Sequence, residues 1–299
     1  METNFVDAIS MGEIMVESIF NVDTDPLINS TIVVKSQRQE PEVGGAAINV
    51  AWYLSSFGKS IRLVAPVSGH HGQKVSEELS QAHVDLSKLI KTDGETDHLI
   101  TILLPQGHRS IYVLGAIPHN LEALFLNQSK ACRLIIMNGG RHREVRQAYR
   151  TLAAKYSDKI VAFNPSYAIY EYHHNDLIEI MKGCDVCFLN EDEYSFLKEG
   201  VGRAVVENMP RLAFVVTKGS KGATMFSRHG QYDVESVLNR TGIFLGAGDA
   251  CLAGFLTGLL DEVPLEQSLQ RGMRLAGLVV EREKIRTVVS KVDISAITS

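Results

Sequence analysis

Along most of this chain short apolar runs alternate with helical patterns, and that alternation limits the possible folds more than any other feature. Residues 160–163, 186–189 and 214–216 are brief, uniformly apolar and rich in β-branched or aromatic side chains, so they read as buried strands. Residues 176–181 and 191–197 between them carry helical spacing. This order predicts an α/β protein, a three-layer α/β/α sandwich around a mostly parallel central sheet.

Two segments break the rhythm. Residues 13–36 are β-rich, with Asn21, Asp23, Asp25 and Pro26 as turn material, and residues 101–115 resemble a hairpin turning at Pro105-Gln106-Gly107. A small β-sheet lid from about 13–36 and 95–117 is therefore expected beside the main sheet. No internal repeat, low-complexity tract or Gly/Ser-rich linker interrupts the rest, so residues 1–299 are expected to form a single domain.

A formal charge of −5 argues against a general binder of nucleic-acid backbone. The densest basic stretch, Arg141, His142, Arg143, Arg146 and Arg150, is interrupted by Glu144 and reads as a solvated helix face. No basic segment leads into an apolar one at the N-terminus, and the longest apolar run, residues 250–260, is far short of the roughly 20 residues that span a bilayer. A soluble, cytoplasmic protein without nucleic-acid or membrane partners is expected. Cys184-Asp-Val-Cys187 matches CxxC but reads as part of a buried strand, because no second pair has zinc spacing.

The chemistry concentrates at Gly246-Ala-Gly-Asp249. Leu252, Phe255, Leu256 and Leu259 follow helical spacing, while Ala253, Gly254, Thr257 and Gly258 keep other faces narrow, so a buried helix begins near Asp249. Its first turn offers unpaired N–H groups and the positive end of the dipole, and the glycines clear the approach for an anion. Asp249 reads either as a plain helix cap or as a base that takes a hydroxyl proton beside a phosphate cradle; its position directly after Gly-x-Gly favours the second. No Walker motif is present, and Cys251 stands where a dinucleotide fingerprint needs its third glycine.

Gly246-Ala-Gly-Asp249, together with Gly44-Gly45-Ala-Ala-Ile-Asn49, resembles the paired signatures of the ribokinase-like (PfkB) carbohydrate and nucleoside kinases. Gly12-Glu13, Gly107-His-Arg109, Asn190-Glu-Asp-Glu193 and Thr217-Lys-Gly-Ser-Lys-Gly222 extend the likeness, in order, over nearly the whole chain. The resemblance implies a ribokinase-like fold and ATP- and Mg²⁺-dependent phosphorylation of a primary hydroxyl of a nucleoside or monosaccharide. Asp249 is then the base, and the backbone of Gly246, Ala247 and Gly248 holds the transferring group. Glu17, Gly44, Gly45, Asn49, Arg109 and Asn164 are the implied substrate residues. Asn190, Glu193, Thr217, Gly219 and Gly222 are the implied ATP residues, with Glu193 acting on the metal through water and Lys218 or Lys221 adding charge. A homodimer through the open edges of the lid is a further expectation.

Three places depart from the family pattern. Glu17 stands where many relatives carry Asp. Ile243-Phe-Leu245 replaces an Asp-Thr segment that helps many relatives bind a monovalent cation, and apolar side chains cannot replace a carboxylate ligand. Phe163-Asn-Pro-Ser-Tyr167 replaces the Asp-x-Asn-x-Arg of many sugar kinases, which brings the chain nearer the nucleoside-kinase branch; Phe20, Ile111 and Tyr112 are candidates for a base pocket. The lost Asp-Thr segment motivates the alternative of a non-catalytic sugar or nucleotide sensor on a kinase fold.

Overall fold

The expected strands form and run one residue past the carboxyl ends of their apolar patterns, as Ile160–Asn164, Val186–Asn190 and Ala213–Thr217, the last also starting one residue earlier. Ladder hydrogen bonds do not depend on side chains, so pairing continues into polar residues and delivers Asn164, Asn190 and Thr217 to the carboxyl edge of the sheet. The computed structural model describes residues 5–22, 34, 36–37, 41–104, 107–118, 120–202, 210–238 and 245–299.

Nine strands make the main sheet among these residues, in the order Gly230–Val234, Ala223–Ser227, Ala213–Thr217, Val186–Asn190, Ile160–Asn164, Cys132–Asn138, Val6–Met11, Ile61–Val64, Val84–Asp85. The first two pair antiparallel at one edge; the remaining seven are parallel. Period-two alternation splits each central strand between two cores. Leu134 and Ile136 face the core of Ala46–Ser56, Ala247–Leu260 and Leu265–Arg282, while Ile135 and Met137 face that of Leu121–Gln128, Arg143–Lys155 and His174–Gly183. The architecture is the three-layer sandwich, and a fully buried Phe255 alone contributes roughly 2–3 kcal/mol of apolar transfer.

Close packing of Ala247–Leu260 rests on its small residues. A Cβ on Gly254 would come within 2.8 Å of Gly272 Cα, and one on Gly258 within 2.4 Å of Ser268 Oγ. This lets Ala247–Leu260 pack closely against Leu265–Arg282. Among the described residues no helix is long and apolar enough to cross a membrane.

A separate small sheet joins Met15–Asn21, Ser36–Gln37, Glu42–Gly44, Asp97–Leu104 and Gly107–Val113. The hairpin pairs Gly107 with Leu104, though Pro105 and Gln106 lie outside the described residues, as do Asp23, Asp25 and Pro26. Buried Asp97 fastens this sheet to the main one: it accepts from Tyr112 Oη at 2.6 Å, from Gly115 N at 2.5 Å and from His142 Nε2 at 2.9 Å. The Asp97 hydrogen bond and charge raise the His142 pKa against the opposing effect of burial.

Two sequence readings need correction here. Arg143 and Arg150 are exposed as expected, but His142 is buried and Arg146 is turned inward to the Gly140 and Arg141 carbonyls. The chain bends at Gly139 and Gly140 before Arg143–Lys155 begins, so the basic stretch is a loop plus a helix rather than one helix face. Cys184 precedes the strand at Val186, and both Cys184 and Cys187 lie in the same apolar core as free thiols. Burial pushes the Cys187 thiol well up, which makes it inert packing.

Candidate active site

Gly246 is the N-cap of Ala247–Leu260, with φ 81°, and a Cβ there would meet Ile285 Cγ2 at 2.9 Å. Both the left-handed backbone and the close approach demand glycine. The first helical bond runs from Ala250 N to the Gly246 carbonyl at 2.9 Å, so the N–H groups of Ala247, Gly248 and Asp249 precede the helix ladder. A Cβ on Gly248 would meet nothing within 4 Å, so that position faces open space. Asp249 is therefore in the first turn rather than the cap, and its side chain caps nothing.

These groups open onto a cleft of about 620 Å³ along the carboxyl ends of the parallel strands. Asn49 Nδ2 donates to Asp249 Oδ2 at 2.8 Å, and Asn164 is a second hydrogen-bond partner. Burial raises the Asp249 pKa to about 6, opposed by those two amides and by the Arg286 charge. Gly45, at φ 110°, turns the chain beneath the Glu13 carbonyl, where a Cβ would come within 2.7 Å, and so starts Ala46–Ser56, which carries Asn49.

Glu17 also lines the cleft, accepts from Thr101 Oγ1 at 3.4 Å and is raised to about 7 by burial. Gly44 does not line it. Its place on Glu42–Gly44 is behind Glu17, whose Oε2 lies 3.3 Å from where a Cβ would be. Arg109 pairs with Ile102 on the small sheet, and its side chain is outside the described residues. Of the expected base-pocket residues only Tyr112 reaches the cleft. Ile111 is 54% exposed, because adjacent strand residues point to opposite faces, and Phe20 shares a face with neither Glu17 nor Tyr112.

Asn190 and Glu193 form a reciprocal capping box: Glu193 N donates to Asn190 Oδ1 at 2.9 Å and Asn190 N to Glu193 Oε2 at 3.0 Å. Both nevertheless line the cleft. Burial, with the charge of Asp249 adding to it, raises Glu193 to about 7. Thr217, Lys218, Gly219 and Gly222 border the same end, the Lys218 ammonium donating to Thr224 Oγ1 at 2.5 Å, whereas Lys221 does not line the cleft and faces Glu191 at 3.5 Å. Among the described residues no cluster of three or more His, Cys, Asp or Glu forms a metal cage. The Glu193 carboxylate, to which Asn190 Nδ2 also donates at 2.7 Å, lies beside an open phosphate cradle and fits Mg²⁺, which keeps most of its water and takes few protein ligands.

Two cleft residues, Glu13 and Arg141, and Arg286 behind Asn49 had no role in the sequence reading. Glu13 is buried and accepts from Gly140 N at 2.9 Å and His142 N at 3.2 Å; burial raises its pKa. Arg286 donates to Asn49 Oδ1 at 3.0 Å and to Glu78 Oε2 at 2.6 Å. Arg141 lies over the Tyr112 ring, 4.1 Å from its centroid. The polar Asn138-Gly-Gly break after an apolar strand marked the Arg141 loop; nothing in the sequence marked Arg286.

Comparison with known proteins identifies the family and the fold. The pfkB family carbohydrate kinase model matches residues 7–291. A nucleoside kinase of Methanocaldococcus jannaschii is 26% identical over 286 residues, covering 93% of this chain and 91% of the relative. An ATP-dependent ribose-1-phosphate kinase of Halopiger xanaduensis is 27% identical over 306 residues, 98% of each. The structure of Burkholderia thailandensis nucleoside kinase with inosine superposes with TM-score 0.86 at 18% identity, covering 97% of this chain and 96% of that one. A family model spanning almost the whole chain, on a ribokinase fold, places this protein in the pfkB family of carbohydrate and nucleoside kinases.

Proposed function

We propose that the protein transfers the terminal phosphoryl group of ATP to a primary hydroxyl of a nucleoside or monosaccharide, with Asp249 as the base. One observation carries this reading: the Asp249 carboxylate, held by Asn49 at 2.8 Å, sits in the helix turn whose first three N–H groups precede the ladder. The acceptor hydroxyl is held by Asn49, Asn164 and Glu17. Its proton passes to Asp249 as its oxygen attacks the terminal phosphorus and the bond to the departing ADP breaks. A pKa of about 6 keeps Asp249 ionised at neutral pH yet basic enough to accept that proton.

The N–H groups of Ala247, Gly248 and Asp249 face the charge on the transferring phosphoryl oxygens, and fixed donors of this kind cost no reorganisation during reaction. Thr217, Gly219 and Gly222 border the ATP phosphates, with Asn190 and Glu193 beside them. Mg²⁺, when bound, neutralises phosphate charge, and Glu193 would hold it through water. The small sheet, carrying Met15, Glu17, Leu99 and Tyr112 into the cleft, acts as a lid that excludes water, and Arg109 closes with it.

ATP as donor is supported by the similarity to the ATP-dependent ribose-1-phosphate kinase of Halopiger, and nucleosides as acceptors by the similarity to the nucleoside kinase of Methanocaldococcus. Nothing in the comparisons favours the sensor alternative. ADP release from ATP·Mg²⁺ that depends on an added nucleoside or sugar tests the proposal; ATP turnover indifferent to every acceptor would overturn it.

A further inference from the structure

The strand order divides the cleft. The loops after Val186–Asn190 and Ala213–Thr217 take one side, those after Val6–Met11 and Cys132–Asn138 the other, with Asn164 between. Arg141 stands on the side away from Asn190 and Thr217. It is held there twice: its guanidinium stacks 4.1 Å from the Tyr112 centroid, and its carbonyl accepts from Arg146 Nη1 at 2.5 Å. The Tyr112 ring is itself locked by its 2.6 Å hydrogen bond to Asp97.

Among the described residues no group accepts a hydrogen bond from the Arg141 guanidinium, and no carboxylate pairs with it. Glu13 lines the same cleft but forms no ion pair with Arg141 among the described residues; its two oxygens face the loop backbone and accept from Gly140 N and His142 N. A stacked, pre-oriented guanidinium with free donors is a receptor for a planar or tetrahedral oxyanion, which it binds bidentately. We infer that Arg141 recognises an anionic group on the acceptor, a carboxylate or a phosphate, carried in addition to the hydroxyl that is phosphorylated. The inference rests on the kinase reading above and narrows it from any nucleoside or sugar to a sugar phosphate or sugar acid.

The test measures ADP release with ribose 1-phosphate, 2-dehydro-3-deoxygluconate, ribose and inosine, using the full chain and its Arg141→Gln and Arg141→Lys variants. One anionic acceptor is expected to have the highest kcat/KM, and which one it is separates phosphate from carboxylate. For that acceptor Arg141→Gln raises KM about 10- to 100-fold with kcat nearly unchanged, Arg141→Lys recovers part of the loss, and neutral acceptors are unaffected. A preference for inosine or ribose, or an equal effect on neutral and anionic acceptors, overturns the inference while leaving the kinase reading intact. If no acceptor is turned over, calorimetry with the same four compounds decides. Binding of an anionic one that Arg141→Gln abolishes upholds the inference and removes the kinase reading; binding of neither anion overturns the inference.

Discussion

Arg286 Nη1 donates to Asn49 Oδ1 at 3.0 Å, and this turns the Asn49 amide so that its Nδ2 faces Asp249 Oδ2 at 2.8 Å. A guanidinium can only donate, so the Asn49 oxygen must point towards it and the nitrogen towards the carboxylate. Glu78 Oε2 holds the other end of Arg286 at 2.6 Å, which makes a continuous line from Glu78 through Arg286 and Asn49 to Asp249.

Arg286→Ala is expected to move the acidic limb of the kcat profile. Asp249 must be ionised to accept a proton, so activity rises as pH passes about 6. Removing Arg286 takes away its charge and frees the Asn49 amide; both changes raise the Asp249 pKa, and the limb shifts to higher pH. A pH–rate series on wild type and variant checks this, and an unmoved limb would contradict the line from Arg286 to Asp249.

Gly246 and Gly248 should respond oppositely to alanine. Gly246→Ala forces a left-handed φ of 81° and a clash with Ile285, costing on the order of 1–3 kcal/mol of stability. Gly248→Ala meets nothing within 4 Å, so it should melt like the wild type while kcat falls by roughly a hundredfold, because the methyl fills the phosphate approach. Thermal melts and steady-state kinetics on both variants separate the two effects.

Glu193→Gln should flatten the dependence of stability on pH. Burial raises the folded pKa of Glu193 to about 7, above the ordinary 4.5, so the folded state holds its proton more tightly than the unfolded chain. Its neutral form therefore favours folding below about 4.5, and that advantage is lost as pH rises through about 7. Relative to the variant, the wild type should lose on the order of 3 kcal/mol across this window, measured as urea midpoints from pH 4.5 to 8.

The small sheet ends in Gly107–Val113, with Ile111 54% and Val113 52% exposed. An open strand edge with an apolar face is a pairing surface, and a homodimer through the lid is expected by sedimentation. Ile111→Asp should convert it to monomer. A wild type that stays monomeric at micromolar concentration would contradict this.

What the sequence revealed follows from where the chemistry lies. Gly246 to Asp249, and Asn190 with Glu193, are local in sequence and begin an element with clear periodicity, so their placement at helix starts was readable. Strands 160–163, 186–189 and 214–216 were readable for the same reason, and only their polar last residues and Ala213 were missed. Arg286 and Asn49 are 237 positions apart, so only the packing of Ala46–Ser56 against the segment holding Ile285 and Thr287 brings them together. Arg141 was misread because a basic cluster looks the same in sequence whether it faces water or a cleft. Tyr112 and Ile111 differ only by strand parity, which a one-residue change of register inverts.

The most direct measurement is kcat of Asp249→Asn with ATP·Mg²⁺ and the best acceptor, beside the wild type. Asparagine keeps the shape of the side chain but cannot take the hydroxyl proton, so kcat is expected to fall about 10²- to 10⁴-fold with the melting temperature preserved. Retention of nearly full kcat would contradict Asp249 as the base.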